Sequence, residues 1–312
     1  MLDRASTFAH PEIVELLKTR FIPVALDQAS TRRQQDTEGQ FYRRLVLQHP
    51  GFRLTNKDVK AAINSTTTQG FYIATAAGDL LLYNNNRHPE KVLRLMKEKL
   101  ASLETKESVA VNPLTENETD KRYDIRPPSG GLVMRVQAKV LGGYAETSDP
   151  WKTIFQSALS RDNLWVTPQE HQALVDGTVP QSLQLRIARF HLVDNTRGEP
   201  LMWKPDEVRR SKLKIVDGEI TGSVLIHSES NDRGYETQLR GRLEVYNGKI
   251  TRFAMVALGD CWGEGPYTKN PPKGKFPLGI SFTLADGSDA ADSLPPQAAR
   301  GWVDGYIRMR AE

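Results

Sequence analysis

Apolar and polar residues alternate along residues 235–246, and this alternation indicates a β-strand with one buried face and one wet face. The dipeptides Asp217-Gly218 and Asn247-Gly248 are favoured two-residue hairpin turns. Together they predict an antiparallel meander. Its strands are expected over residues 213–216, 219–228, 235–246 and 249–258.

Elements outside the meander are less regular. Further strands are expected over residues 132–141, 276–284 and 301–310. Short helices are expected over residues 150–160, 168–175 and 181–191. The pattern leaves open whether the antiparallel sheet stays open or closes into a barrel.

The first hundred residues combine helical and strand patterns. Residues 11–20 and 89–100 repeat apolar side chains about every 3.6 residues and are predicted to be helices. Residues 71–75 and 80–83 flank a glycine-containing turn and predict a hairpin. Residues 21–27 form a compact apolar run, which is typical of a buried strand. Residues 28–47 are expected to be a polar loop that enters a helix.

The order helix, strand, helix, hairpin, helix resembles that of the thioredoxin-like superfamily. The segments that carry the resemblance are PEIVELLKTRFIPVALD and GFYIATAAGDLLLYNNNRHPEKVLRLMKEKL, within the first third of the chain. Catalytic members have a CxxC motif before the first helix, but this chain has no cysteine before Pro11. They also have a cis-proline before the third strand, where this chain has Gln69 or Gly70. The resemblance therefore implies a thioredoxin-like scaffold without a disulfide redox centre.

Residues 105–131 have the composition of a linker. They are rich in Glu, Asn, Thr, Pro and Lys, and they end in the run PPSGG. The expected fold class is therefore α/β plus α+β. A thioredoxin-like domain is predicted over residues 1–104, and a domain built on an antiparallel sheet with short helices over residues 132–312.

Composition narrows the functional classes. The chain has 312 residues, of which 38% are hydrophobic and 26% charged, as in a soluble protein of about two domains. The net charge of +4 comes from interspersed charges, and no basic run alternates with aromatic residues, so no nucleic-acid partner is expected. No apolar run approaches the roughly 20 residues of a membrane helix. A cytoplasmic location and export after removal of an upstream leader both remain open.

Cys261 is the only cysteine in the sequence. A single cysteine excludes an intramolecular disulfide, a CxxC centre and a cysteine-rich zinc site. No sequence signature of a neighbouring base accompanies it, so it is expected to be a buried and inert thiol.

Four residues of the second domain suggest a metal centre: His191, Asp194, Glu199 and His227. Imidazole nitrogens and carboxylates suit zinc, iron and copper, and two histidines with one carboxylate would suit a non-haem iron. His191 and His227 are therefore the candidate ligands of a divalent metal. The competing interpretation is that His227 faces solvent on its strand and His191 caps a helix end.

A glycine- and proline-rich stretch over residues 259–275 is predicted to be a long loop between strands, and such loops often carry function. Trp262 and Tyr267 are candidates to line a ligand pocket, with Asp260 or Glu264 as its polar anchor. The alternative is a structural loop that buries both aromatic side chains.

His10 and Gln69 lie nearest to the position of the missing redox site that the resemblance implies. They are candidates to line a binding cleft that persists without cysteines. The alternative is that other side chains fill this groove.

The leading hypothesis is a non-redox thioredoxin-fold binding or scaffold protein, with a protein partner or a small-molecule ligand. The alternative hypothesis is a metal-dependent enzyme or metal-binding protein whose site lies in the second domain. Its catalytic candidates are His191, Asp194, Glu199, His227, Asp260 and Glu264.

Overall fold

The computed structural model describes residues 6–49, 70–103, 119–199, 201–265 and 268–309. The chain divides into two compact units, Ser6–Ile125 and Arg126–Glu312. The division falls within the stretch whose composition predicts a linker. The domain bounds derived from the sequence stay a prediction.

The described part of the first unit places a β-hairpin between helices. Its elements in chain order are a 3-10 turn Thr7–Ala9, α1 Pro11–Thr19, α2 Gln28–Thr31, α3 Thr37–Leu47, β1 Phe71–Ala74, β2 Leu80–Asn84 and α4 Pro89–Ser102. Neighbouring residues of a strand face opposite sides. Ile73 therefore packs with Ile13 of α1 and Val92 of α4, whereas Tyr72 packs against Tyr42 of α3.

The predicted buried strand over residues 21–27 is wrong. Ile22, Val24 and Leu26 are 90%, 70% and 49% exposed. None of the backbone groups of residues 22–26 pairs with another described residue. An apolar run shows that a segment could be buried, but a strand also needs a hydrogen-bonding neighbour, and Pro23 has no N–H to offer one.

In the described part of the second unit, seven strands form one antiparallel sheet that curls into a half-barrel. The strands are β3 Leu132–Val140, β4 Asp162–Val166, β5 Val208–Val216, β6 Glu219–His227, β7 Gly234–Tyr246, β8 Lys249–Trp262 and β9 Lys275–Leu284. Their spatial order is β4-β3-β9-β8-β7-β6-β5, so β4 and β5 are the edges.

Short helices and turns accompany this sheet. They are α5 Pro150–Ser157, α6 Pro168–Val175, α7 Gln181–Arg186 with a π-turn Ile187–His191, α8 Val303–Ile307 and the 3-10 turns Pro205–Glu207, Ala290–Ser293 and Gln297–Ala299. Helix α7 packs beside β5, and the π-turn contacts β4 and β5. Within the described ranges, no helix combines the length and the apolarity needed to cross a membrane.

The predicted meander of β5 to β8 is confirmed. Asp217 and Gly218 have φ angles of 51° and 78°, and Asn247 and Gly248 have φ angles of 50° and 71°. Such left-handed pairs suit Asp-Gly and Asn-Gly turns, whose twist matches that of the strands. They set the register, and β6, β7 and β8 each bury one face.

The predicted loop over residues 259–275 is wrong at its start, because β8 runs on to Trp262. Asp260, Cys261 and Trp262 all pair with β7. A Cβ at Gly259 would lie 2.0 Å from Glu236 O, so the glycine permits a close strand approach and does not end the strand.

Two short elements also differ from the prediction. Residues 301–310 contain helix α8, not a strand, and its buried residues Val303 and Tyr306 have helical spacing. Strand β4 is absent from the prediction, because all five of its residues are buried and show no alternation.

Candidate functional site

An open trough follows β6 on the exposed face of the sheet. Its floor consists of Thr221, Ser223, Leu225 and His227, which lie on the face of β6 opposite its buried residues. The strand pairings place outward side chains of β5 and β7 along its sides. Cavities of about 440 and 670 Å³ occupy its two ends. We call this surface the β6 trough.

Trp262 forms an aromatic platform at the first end. Gly234 stands between Trp262 and His227 in the strand register. A Cβ at Gly234 would lie 2.1 Å from the indole Cζ2, so the glycine lets the ring rest on the strand. The indole N–H donates to Asn231 O at 3.1 Å, and Lys275 Nζ lies 4.8 Å from the ring centroid. The ring is thus held from several sides.

His227 and Glu236 add polar groups to this aromatic end. His227 Nδ1 lies 2.7 Å from the carbonyl oxygen of Ser228, and because a carbonyl only accepts, Nδ1 carries the proton. In the neutral ring, Nε2 is then a hydrogen-bond acceptor. Glu236 pairs with Arg210 at 3.6 Å, an exposed ion pair that contributes little to stability. This end therefore suits a polar ligand with one apolar side.

The full lining of the aromatic end is Leu225, His227, Asn231, Glu236, Trp262, Gly274 and Lys275. His227 and Trp262, which the sequence assigns to two different candidate sites, meet here. The polar anchor is Glu236, and neither Asp260 nor Glu264 lines the cavity.

The second end of the trough is basic. Lys212 and Lys214 on one side and Arg240 on the other flank the hydroxyl groups of Thr221 and Ser223. No carboxylate lines this cavity, and none of its cations forms an ion pair with another described residue. The full lining is Lys212, Leu213, Lys214, Thr221, Gly222, Ser223, Gln238, Leu239 and Arg240.

His191 lies in the core and not in the trough. Its Nε2 is 2.8 Å from the Tyr306 hydroxyl, and its Nδ1 is 3.2 Å from Asp162 Oδ2. Burial raises the pKa of Tyr306, so the phenol keeps its proton and shares a hydrogen bond with Nε2. Carboxylate, imidazole and hydroxyl follow one another as in a hydrolase triad. However, Tyr306 is 0% exposed, so the arrangement is closed to a substrate.

Arg186 links several elements of this core. Its guanidinium is fully buried and donates to Glu170 Oε2 at 2.6 Å. It also donates to three carbonyl oxygens, those of Trp165, Tyr306 and Ile307, at 2.9 to 3.1 Å. A buried charge needs this degree of pairing. We call this set of contacts the Arg186 clamp; it joins β4, α6, α7 and α8.

The remaining candidate carboxylates stand in ion pairs. Asp194, Glu199 and Glu264 contact cations at 2.5, 2.9 and 2.7 Å. The partners, in the same order, are Arg197, Arg300 and Lys269. The Lys269 hydrogen bond is the main cause that lowers the pKa of Glu264. Across the described ranges, no three His, Cys, Asp or Glu side chains are grouped to hold a metal ion.

The other candidates fall into different settings. Asp260 is exposed on β8, outside both cavity linings. Cys261 is 6% exposed, and burial raises the pKa of its thiol. His10 precedes α1, and its buried Nδ1 has no hydrogen-bond partner in the described part of the chain. Tyr267 and Gln69 lie outside the described residues.

The sequence did not predict the role of two groups of residues, the cations of the basic end and Arg186. The cations of the basic end sit on the wet faces of their strands, where charge is ordinary, and only the register brings them together. Arg186 does leave a signal, because it stands among the buried Leu183 and Ile187 of one helix.

No protein-family model, no curated protein and no solved structure matches the chain. Function is therefore inferred from the geometry of the trough and of the core.

Proposed function

We propose that the chain is a non-redox binding protein whose ligand contacts the aromatic end of the β6 trough. The observation that carries the proposal is the indole of Trp262, held in an open cavity beside His227, Asn231 and Glu236. Ligand sites typically combine an aromatic surface with a few placed polar groups in about 300–1,000 Å³. The cavity of about 440 Å³ lies within this range.

Two features favour binding over catalysis. The Cys261 thiol is buried with a raised pKa, so it does not supply a thiolate. The imidazole of His191 is enclosed between Asp162 and Tyr306, away from solvent. The Cys261 thiol and the His191 imidazole are thus inside the fold, whereas the trough offers an aromatic ring and exposed polar groups.

The proposal includes a role for the first unit as a thioredoxin-like module that contacts a protein partner. The second segment that resembles that superfamily and the hairpin packed between helices support it, although residues 21–27 do not form the strand that the first segment implies. Without a CxxC motif, the module is expected to show no disulfide reduction. Turnover in an insulin-reduction assay would contradict this part of the proposal.

The proposal predicts that Trp262→Ala weakens ligand binding by about tenfold or more, because the aromatic platform is lost. A defined library of small polar compounds is screened by the melting temperature of the wild-type protein, and the hits are measured by calorimetry. Trp151→Ala is the matched control, since Trp151 is 42% exposed and lies outside the trough. Hits that bind Trp262→Ala as tightly as the wild type would place the site elsewhere.

Native mass spectrometry with elemental analysis tests the metal alternative on the same preparation. We expect no stoichiometric metal, because the candidate carboxylates are engaged in ion pairs. A divalent metal at unit stoichiometry that disappears in His227→Ala would instead favour the metal-binding hypothesis.

A further inference from the structure

We propose that the basic end of the β6 trough binds the phosphate groups of a small polyphosphorylated ligand. This inference rests on the proposed function and deepens it, because it names the ligand class that the trough accepts. The groups that carry it are the Lys212, Lys214 and Arg240 cations and the Thr221 and Ser223 hydroxyls.

All polar side chains at this end can donate hydrogen bonds. Each lysine has three N–H donors and the arginine has five, and the hydroxyls and the Gln238 amide add more. The acids on the same face of β7, Glu236 and Glu244, have arginine partners of their own at 3.2 to 3.6 Å. Cations and hydrogen-bond donors without a described acidic partner surround one cavity, and this favours a ligand with several negatively charged acceptor oxygens. Phosphate groups meet this requirement.

The spacing of the cations favours more than one phosphate. Lys212 and Lys214 are two residues apart on β5, which separates their Cα atoms by about 6.8 Å. Arg240 lies on β7, two strand spacings or about 10 Å away. A single phosphate would require the three side chains to converge on one point against their mutual repulsion. Two or three linked phosphates reach all of them across the hydroxyl groups of the floor.

The composition of this end favours a small molecule over a nucleic-acid strand. Single-stranded nucleic acids are held by bases stacked on aromatic rings, together with cations that contact the backbone. The basic cavity has no aromatic residue in its lining, and Trp262 is the single Trp, Tyr or Phe in the two cavity linings, so successive bases would find no row of rings to stack on. Its cations are also exposed, so at physiological ionic strength salt screens their attraction for charges more than about 8 Å away. Several charges on one compact ligand offset this screening best.

The experiment uses sodium tripolyphosphate as the probe and the full chain as the receptor. Calorimetry at about 50 mM and about 200 mM salt compares the wild type with Lys212→Gln/Lys214→Gln and with Arg240→Gln. The matched control is Lys91→Gln/Lys152→Gln, which removes the same charge at two exposed lysines outside the trough. Circular dichroism verifies that each variant is folded.

We expect the wild type to bind tripolyphosphate more tightly than orthophosphate or the tricarboxylate tricarballylate. Both trough variants should lose about tenfold or more in affinity, and the control should stay within about twofold. Equal losses in the control would mean non-specific attraction and overturn the inference. Tighter binding of an octathymidylate than of tripolyphosphate would also overturn it, in favour of a nucleic-acid strand.

The two proposals can fail separately. If tripolyphosphate does not bind while library hits still depend on Trp262, only the phosphate inference is wrong. If hits are indifferent to Trp262→Ala but tripolyphosphate binding depends on Lys212 and Lys214, the aromatic end is wrong and the basic end stands.

Discussion

At Gly234 the absence of a side chain decides where the indole of Trp262 lies. A Cβ there would come within 2.1 Å of Cζ2 and 2.5 Å of Cε2. Real contacts of this kind do not occur, and the backbone on both sides is paired in the sheet. An added methyl group would therefore have to move the ring.

We predict that Gly234→Ala displaces the indole, lowers the free energy of unfolding by about 1–3 kcal/mol and weakens the binding of ligands that depend on Trp262. Urea unfolding and tryptophan emission measure the two effects. Gly301→Ala is the matched control, since open space surrounds its Cβ position. Unchanged emission and affinity in Gly234→Ala would show that the glycine does not position the ring.

Residue types alone identify only some of the residues that line the β6 trough. The sequence points to His227 and Trp262, but it assigns them to different sites, because only the register of three strands unites them. Lys212 and Arg240 give no signal by themselves, since a cation on a wet strand face is usually only solvated. What distinguishes them is the absence of a carboxylate from their shared cavity, which is a property of neighbours in space.

At the scale of the elements, α8 is bound by one buried side chain of another helix, that of Arg186. The Arg186 clamp binds two carbonyl oxygens of α8 and one of β4, and Glu170 of α6 balances the charge. Loss of the guanidinium would leave these groups buried without partners. Such an uncompensated carboxylate costs more than the apolar area of the side chain would return.

We predict that Arg186→Met lowers the free energy of unfolding by about 3–5 kcal/mol, as measured by urea unfolding. Adding Glu170→Gln should recover part of this loss, because the stranded negative charge is removed. Arg94→Met is the control and should cost less than about 1 kcal/mol, since its ion pair with Glu98 is exposed. An equal and small effect of both arginine changes would contradict the clamp.

The elements that the sequence predicts correctly carry a periodic pattern or a turn signal. Strands β5 to β8 alternate and end in Asp-Gly or Asn-Gly turns, so both type and register are encoded locally. Strand β4 and residues 21–27 are both short stretches without a period. One is fully buried and the other exposed. The difference lies in whether a neighbouring strand is available, which a local pattern does not encode.

For the whole molecule, the dependence of stability on pH follows from carboxylates that accept hydrogen bonds in the folded state. Hydrogen bonds from Arg135 are the main cause that lowers the pKa of Asp292; burial opposes them and Arg161 adds to them. Hydrogen bonds from Ser288, supported by Arg135, lower the pKa of Asp286 to about 2. Lowered values mean that the unfolded chain takes up protons more readily than the folded chain.

The sign of the resulting pH dependence is clear. Unfolded aspartate has a pKa of about 3.9, so the stabilisation by Asp292 is fully present above that pH and is lost as the pH falls through the lower folded value. We predict that Asp292→Asn lowers the melting temperature at pH 7, and that the difference from the wild type shrinks as the pH falls below about 4. Asp206→Asn, at an exposed position, is the control. A difference that stays constant with pH would contradict the ionic role.

Net charge is a poor guide at this scale. A net charge of +4 over 312 residues predicts no particular partner. Nevertheless, three of the chain's basic side chains line one cavity that contains no acidic residue. The same distribution explains why the chain as a whole gives no basic signature while one end of the trough does.

The Arg186 clamp also determines when the core of the second unit can form during synthesis. Arg186 and Tyr306 are 120 residues apart. At about 5–20 residues per second, a ribosome makes the second partner about 6–24 s after the first. During that interval the guanidinium, its carboxylate and the buried strand β4 have no α8 to close over them. The second unit therefore completes its core late, and chains that stop before Tyr306 are expected to remain clients of chaperones.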